Sequence, residues 1–89
     1  MEKEIENKLR EIGYTGKTDL ETILEALPKD IYNEETRQFE MLFMTKLGLF
    51  YGYEARLYWT KNKNDESLTD TAARLLILLN EKGIINFNK

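Results

Sequence analysis

Eighty-nine residues, 42% of them apolar and 33% charged, specify one folded domain: too rich in aromatics for disorder, yet short of the size at which burial becomes ample. The chain contains neither cysteine nor histidine, which excludes a disulfide framework or thiolate metal site and removes the commonest general base. The net charge of −3 is uneven, with 11 acids against 6 bases in residues 1–40 and 5 against 7 in residues 41–89, so the N-terminal half repels phosphate.

The first predicted element is a helix over Glu2 to Ile12. Ile5, Leu9 and Ile12 fall on one stripe, and Glu4–Lys8 and Glu6–Arg10 are favourably ordered i,i+4 pairs. Gly13 suits a left-handed helix stop, after which Tyr14 would lie against Leu9. A second helix is expected from Thr18, where Thr18-Asp19-Leu20-Glu21 fits a capping box, and its stripe is Leu20, Ile23, Leu24 and Leu27. Pro28 ends it. Pro28 to Glu35 reads as a loop with Ile31 and Tyr32 tucked onto the core.

The period then changes from helical to two. Phe39, Met41 and Phe43 alternate with Gln38, Glu40, Leu42 and Met44 in Arg37 to Thr45; Leu49 to Thr60 is apolar or aromatic at every odd position. A turn at Lys46-Leu47-Gly48 joins two strands. Pairing Thr45 with Leu49 keeps the odd faces together, with Tyr51, Tyr53 and Trp59 towards the core, but sets Glu40 against Glu54. A shifted register that pairs Glu40 with Arg56 is the alternative. Lys61 to Glu66 is a polar loop, Ser67 caps a final helix, and Gly83 ends it with Ile84 placed to touch Leu79. Its core stripe is Leu68, Ala72, Leu75, Leu76 and Leu79.

The expected fold class is therefore α+β. Two N-terminal helices precede an antiparallel β-hairpin, which dimerisation could extend, and a C-terminal helix packs on the sheet. Residues 1–89 form a single domain with a helical part over 1–27 and a β–β–α part over 36–83.

No motif for catalysis survives inspection. Gly16-Lys17-Thr18 looks like the end of a phosphate-binding loop, but Glu11 stands where that loop needs glycine and a helix stands where it needs a strand. Asn62, Asn64, Asp65, Glu66 and Asp70 are rich in oxygen, yet Ser67 and Ala73 occupy the positions that calcium loops give to glycine and glutamate. The carboxylates, lysines and hydroxyls form no catalytic spacing. No catalytic residue, cofactor, metal or small-molecule substrate is implied. The longest apolar run, Leu75 to Leu79, is too short to cross a bilayer, and Met1-Glu2-Lys3-Glu4 lacks the layout of a secretory signal, so the expected compartment is the cytoplasm.

Two apolar surpluses remain. Leu42, Met44, Phe50 and Tyr58 occupy the even face of the hairpin, and Ile77 and Leu78 lie outside the stripe of the last helix. Either other elements of the chain cover them or a partner does. These six residues are the candidate partner-binding set of a non-catalytic interaction module, with a second copy of the chain or another protein as partner. The alternative is single-stranded nucleic-acid binding by a strip of Arg56, Lys61 and Lys63 with Tyr58 as stacking platform, against which the overall acidity argues.

The stretch Ser67-Leu68-Thr69-Asp70-Thr71-Ala72-Ala73-Arg74-Leu75-Leu76-Ile77-Leu78-Leu79-Asn80-Glu81-Lys82-Gly83 resembles the C-terminal segment of small prophage-encoded proteins. Ile12-Gly13-Tyr14-Thr15-Gly16 and the short helix Leu20 to Leu27 resemble their N-terminal part. Those proteins usually place a tryptophan in the last helix, where this chain has Leu76 or Ile77. The resemblance implies an accessory role in a mobile element and assigns no site residues. The β–β–α half is also similar to double-stranded-RNA-binding and antitoxin arrangements, which would imply a basic helix start; Asp65, Glu66 and Asp70 surround it here.

Overall fold

A computed structural model describes residues 1–52, 58–61 and 66–87. The elements are α1 (Lys3–Glu11), α2 (Leu20–Ala26), β1 (Asp30–Asn33), β2 (Gln38–Thr45), β3 (Gly48–Tyr51), β4 (Trp59–Lys61) and α3 (Leu68–Glu81). This is an α+β domain whose strands form one antiparallel sheet in the order β1–β2–β3–β4.

Local chemistry sets the helix ends. Gly13 adopts φ 95°, and the Tyr14 N–H donates to the Leu9 carbonyl at 3.0 Å, closing α1 as its sequence predicts. The end of α3 repeats this geometry, with Gly83 at φ 77° and the Ile84 N–H on the Leu79 carbonyl at 2.9 Å. Ser67 caps α3 by accepting from the Asp70 N–H at 3.1 Å. The start of α2 differs from expectation: Asp19, not Thr18, is the cap. Its carboxylate accepts from the Thr22 N–H at 3.2 Å and the Thr22 hydroxyl at 2.7 Å. An anion satisfies two donors and favours the positive end of the helix, so it displaces the neutral threonine from that role.

The sheet corrects three expectations. First, the stretch read as a loop contains β1, in which Asp30 pairs with Met41 and Tyr32 with Phe39. Ile31 is buried, but alternation turns Tyr32 to the opposite, exposed face. Second, the segment expected as one strand forms β3 and β4, paired Gly48–Lys61, Leu49–Thr60 and Phe50–Trp59. The strand breaks at Gly52, whose φ is 82° and where a Cβ would approach Glu40 Oε2 to 2.8 Å. The chain itself thus widens the hairpin to four strands.

Third, the register of β2 on β3 is Thr45–Gly48, Phe43–Phe50 and Leu42–Tyr51, one residue away from the expected pairing. Thr45 Oγ1 accepts from the Leu47 N–H at 3.1 Å and donates to the Gly48 carbonyl at 3.2 Å, stitching a two-residue turn. A shift of one residue exchanges faces, so the even residues of β2 join the odd residues of β3. Tyr53, Glu54 and Arg56, which the expected and alternative registers invoked, lie outside the described residues.

The inner face of the sheet buries Ile31, Leu49, Tyr51 and Thr60. Helix α3 packs against β3 and β4 and against α1 and α2, so Ala72, Ala73, Leu75, Leu76 and Leu79 are wholly enclosed. Each such leucine contributes about 1.5–3 kcal/mol. Ile5, Leu9, Ile23 and Leu27 complete the core from α1 and the α2 region. Polar ties cross the layers: Tyr51 Oη donates to the Pro28 carbonyl at 2.7 Å, and Thr60 Oγ1 to the Thr71 carbonyl at 3.2 Å.

Candidate functional site

Strand alternation and pairing place Tyr32, Phe39, Met41, Phe43, Phe50 and Trp59 on the face of the sheet turned away from α3. Phe43, Phe50 and Trp59 stand in one cross-strand row, and the Phe43 and Phe50 rings stack with centroids 5.7 Å apart. Tyr32 and Phe39 meet edge-to-face at 5.2 Å. Phe39 is 66% exposed, Met41 64%, Tyr32 47% and Trp59 40%, whereas Phe50 is buried at 3%. Exposed apolar patches of this kind often mark interaction sites on small domains.

A second feature lies along α3. A hollow of about 630 Å³ between α1 and α3 has Ile5 and Ile77 among its lining, with Glu2, Glu4 and Glu11 from α1 and its N-cap. A smaller one of about 340 Å³ between α3 and β4 has Trp59, Leu78 and Glu81. Both include Arg74 and Ile77, so the two hollows meet along α3. Among the described lining residues, the cation Arg74 is held by Glu66, and Lys8 lies 3.8 Å from Glu11.

The motif-like segments resolve as structure. In the Gly16-Lys17-Thr18 turn, Tyr14 Oη donates to the Lys17 carbonyl at 2.5 Å, and Arg10 Nη1 donates to the Tyr14 and Gly16 carbonyls at 3.0 Å each. A Cβ on Gly16 would approach Tyr14 Oη to 2.6 Å, so that glycine allows close packing on the ring. Burial, then the nearby Asp19 charge, raises the Tyr14 pKa. Among the oxygen-rich residues, Asp70 accepts from the Glu2 N–H at 3.2 Å, Glu66 binds Arg74, and Asn62, Asn64 and Asp65 lie outside the described residues. Among the described residues, no group of three or more acids could hold a metal ion.

The six residues picked from sequence do not assemble on one surface. Leu42 and Tyr58 pack partly buried against the core, Met44 is exposed on the inner side of β2, and Phe50 sits on the opposite face. Ile77 is buried and Leu78 packs against the core, both lining the groove beside α3. Of the basic strip, Arg56 and Lys63 lie outside the described residues, and Lys61 pairs with Gly48 in β4. Phe39, Met41 and Trp59 were missed because the expected register assigned the odd face of β2 and Trp59 to the core, and Tyr32 because the sequence of β1 reads as a loop tucked onto the core. No protein family, curated protein or solved structure matches this chain.

Proposed function

We propose that the protein is a non-catalytic interaction module that self-associates through the outer face of its sheet. The exposed strip of Tyr32, Phe39, Met41 and Trp59 carries this reading. From the size of such side chains and their exposure, it offers roughly 400 Å² of apolar surface. That is within the range of functional patches on small monomers and about half of what a standard interface buries per partner. The expected product is a concentration-dependent dimer with Kd in about the micromolar range.

A second copy is the partner that this face fits best. Identical apolar faces are self-complementary about a two-fold axis, and twisted sheets stack about 10 Å apart with interdigitating side chains. Asp30 stands on the same face opposite Met41, and Glu34 and Glu35 follow β1 beside Tyr32. These acids weigh against single-stranded nucleic acid as the occupant of the strip. An accessory role in a mobile element is compatible with such a module.

The combined substitutions Phe39→Glu and Met41→Glu test the proposal in sedimentation equilibrium. Both side chains are mostly solvent-exposed, so circular dichroism is expected to remain that of the folded chain while the dimer is lost. An unchanged association constant in a folded variant assigns self-association elsewhere and defeats the proposal.

A further inference from the structure

The groove beside α3 shares Trp59 with the edge of the sheet face, but its other lining residues and its chemistry are different. Its apolar residues are Ile5, Ile77, Leu78 and Trp59, supplied by α1, α3 and β4. Its charged lining is Glu2, Glu4, Glu11, Glu66 and Glu81 against Lys8 and Arg74. Glu66 neutralises Arg74 through two hydrogen bonds from the guanidinium, and Lys8 sits beside Glu11. Among the described residues, Glu2, Glu4 and Glu81 therefore give the groove a net negative lining around an apolar strip.

We infer that this groove docks a cationic amphipathic helix of a partner protein, with leucine-like side chains over Leu78 and Trp59 and lysine or arginine towards Glu2, Glu4 and Glu81. Two helices, α1 and α3, already form its walls on one side, and a third helix laid along them would bury its apolar stripe as helices do in a groove. Charge complementarity selects the sign of the partner and rejects acidic helices. The apolar strip distinguishes the site from a general attraction of cations, because a small polycation has nothing to lay on Leu78 and Trp59.

The test uses the full chain and a synthetic helical peptide of leucine and lysine in amphipathic order, with a leucine–glutamate peptide of the same pattern as control. Trp59, the single tryptophan, borders both the groove and the sheet face, so its fluorescence detects binding and the amide resonances place it. The lysine peptide is expected to bind saturably, shift the amide resonances of Ile5, Ile77 and Leu78, and weaken with salt. Replacing Glu2, Glu4 and Glu81 together by glutamine is expected to weaken it about tenfold. The exposed pair Glu21→Gln and Glu25→Gln on α2 should leave it unchanged. Equal binding of both peptides, resonance shifts confined to Phe39 and Met41, or an equal Trp59 response to spermine would each overturn the inference. Because the readout maps to α1 and α3, its failure leaves self-association through the sheet untouched.

Discussion

The Arg74 guanidinium forks onto the Glu66 carboxylate, with Nε 2.9 Å from Oε2 and Nη2 2.5 Å from Oε1. Thr71 Oγ1 donates to the same Oε1 at 2.8 Å, so the residue preceding the Ser67 cap is tied to the second turn of α3. The carboxylate is almost wholly buried while the arginine keeps some contact with water. Arg74→Ala would strand that carboxylate, and the expected loss is about 2–3 kcal/mol. Arg74→Lys should recover only part, since an ammonium cannot fork. Urea midpoints of the two variants measure both effects, and equal stability of all three proteins would contradict the role given to the pair.

Tyr51 is fully buried, and its hydroxyl reaches the Pro28 carbonyl at 2.7 Å. Tyr51→Phe should cost about 1–2 kcal/mol by leaving that carbonyl unmet. Burial, and then the nearby Asp30 charge, pushes the phenol well above its ordinary value of 10.0. The folded state therefore favours neutral tyrosine, a contribution intact below pH 10 and lost as the pH rises towards the elevated folded value. Alkaline titration of stability should show a decline above pH 10 that is smaller in Tyr51→Phe.

Arg37 closes the β1–β2 turn at φ 58°, with its N–H on the Asn33 carbonyl at 2.7 Å. A side chain in this left-handed region is strained by about 1–2 kcal/mol, part of which glycine returns as entropy lost on folding. Arg37→Gly is expected to raise stability by up to about 1 kcal/mol, read as a melting temperature about 4–8 °C higher per kcal/mol. A lower melting temperature would show that Arg37 makes a contribution beyond its backbone geometry.

Gly16 packs directly on the Tyr14 ring, which also meets Phe87 edge-to-face at 5.6 Å. Gly16→Ala forces the ring or the turn aside and should destabilise by about 1–3 kcal/mol. Hydrogen exchange at Tyr14 and Lys17 would accelerate with it. If Gly16 served a bound phosphate instead, the substitution would leave the unliganded protein's stability unchanged.

Apart from the start of α2, where Asp19 displaces Thr18, helix ends were legible because they are written in adjacent residues. Gly13 with Tyr14, Ser67, and Gly83 with Ile84 each act through backbone groups within one turn. The α+β class followed from the change of period. The register did not, because Thr45 joined to Gly48 or to Leu49 gives two plausible turns, and the choice rests on the bonds from the Thr45 hydroxyl. That single step moved Phe39, Met41 and Phe43 from the expected core to the outer face. Odd-position aromatics through 49–60 likewise could not reveal that β3 and β4 run antiparallel. The groove was half visible: Ile77 and Leu78 stood out as surplus, but α1 lies across from them only in the folded chain.

Self-association through the outer sheet face is tested most directly by absolute mass, from light scattering on the unmodified protein from about 10 μM to 1 mM, a span bracketing the expected Kd. The mass should rise from near the 10.5 kDa of one chain towards twice that value. A mass that stays at one chain across the whole range would contradict the account.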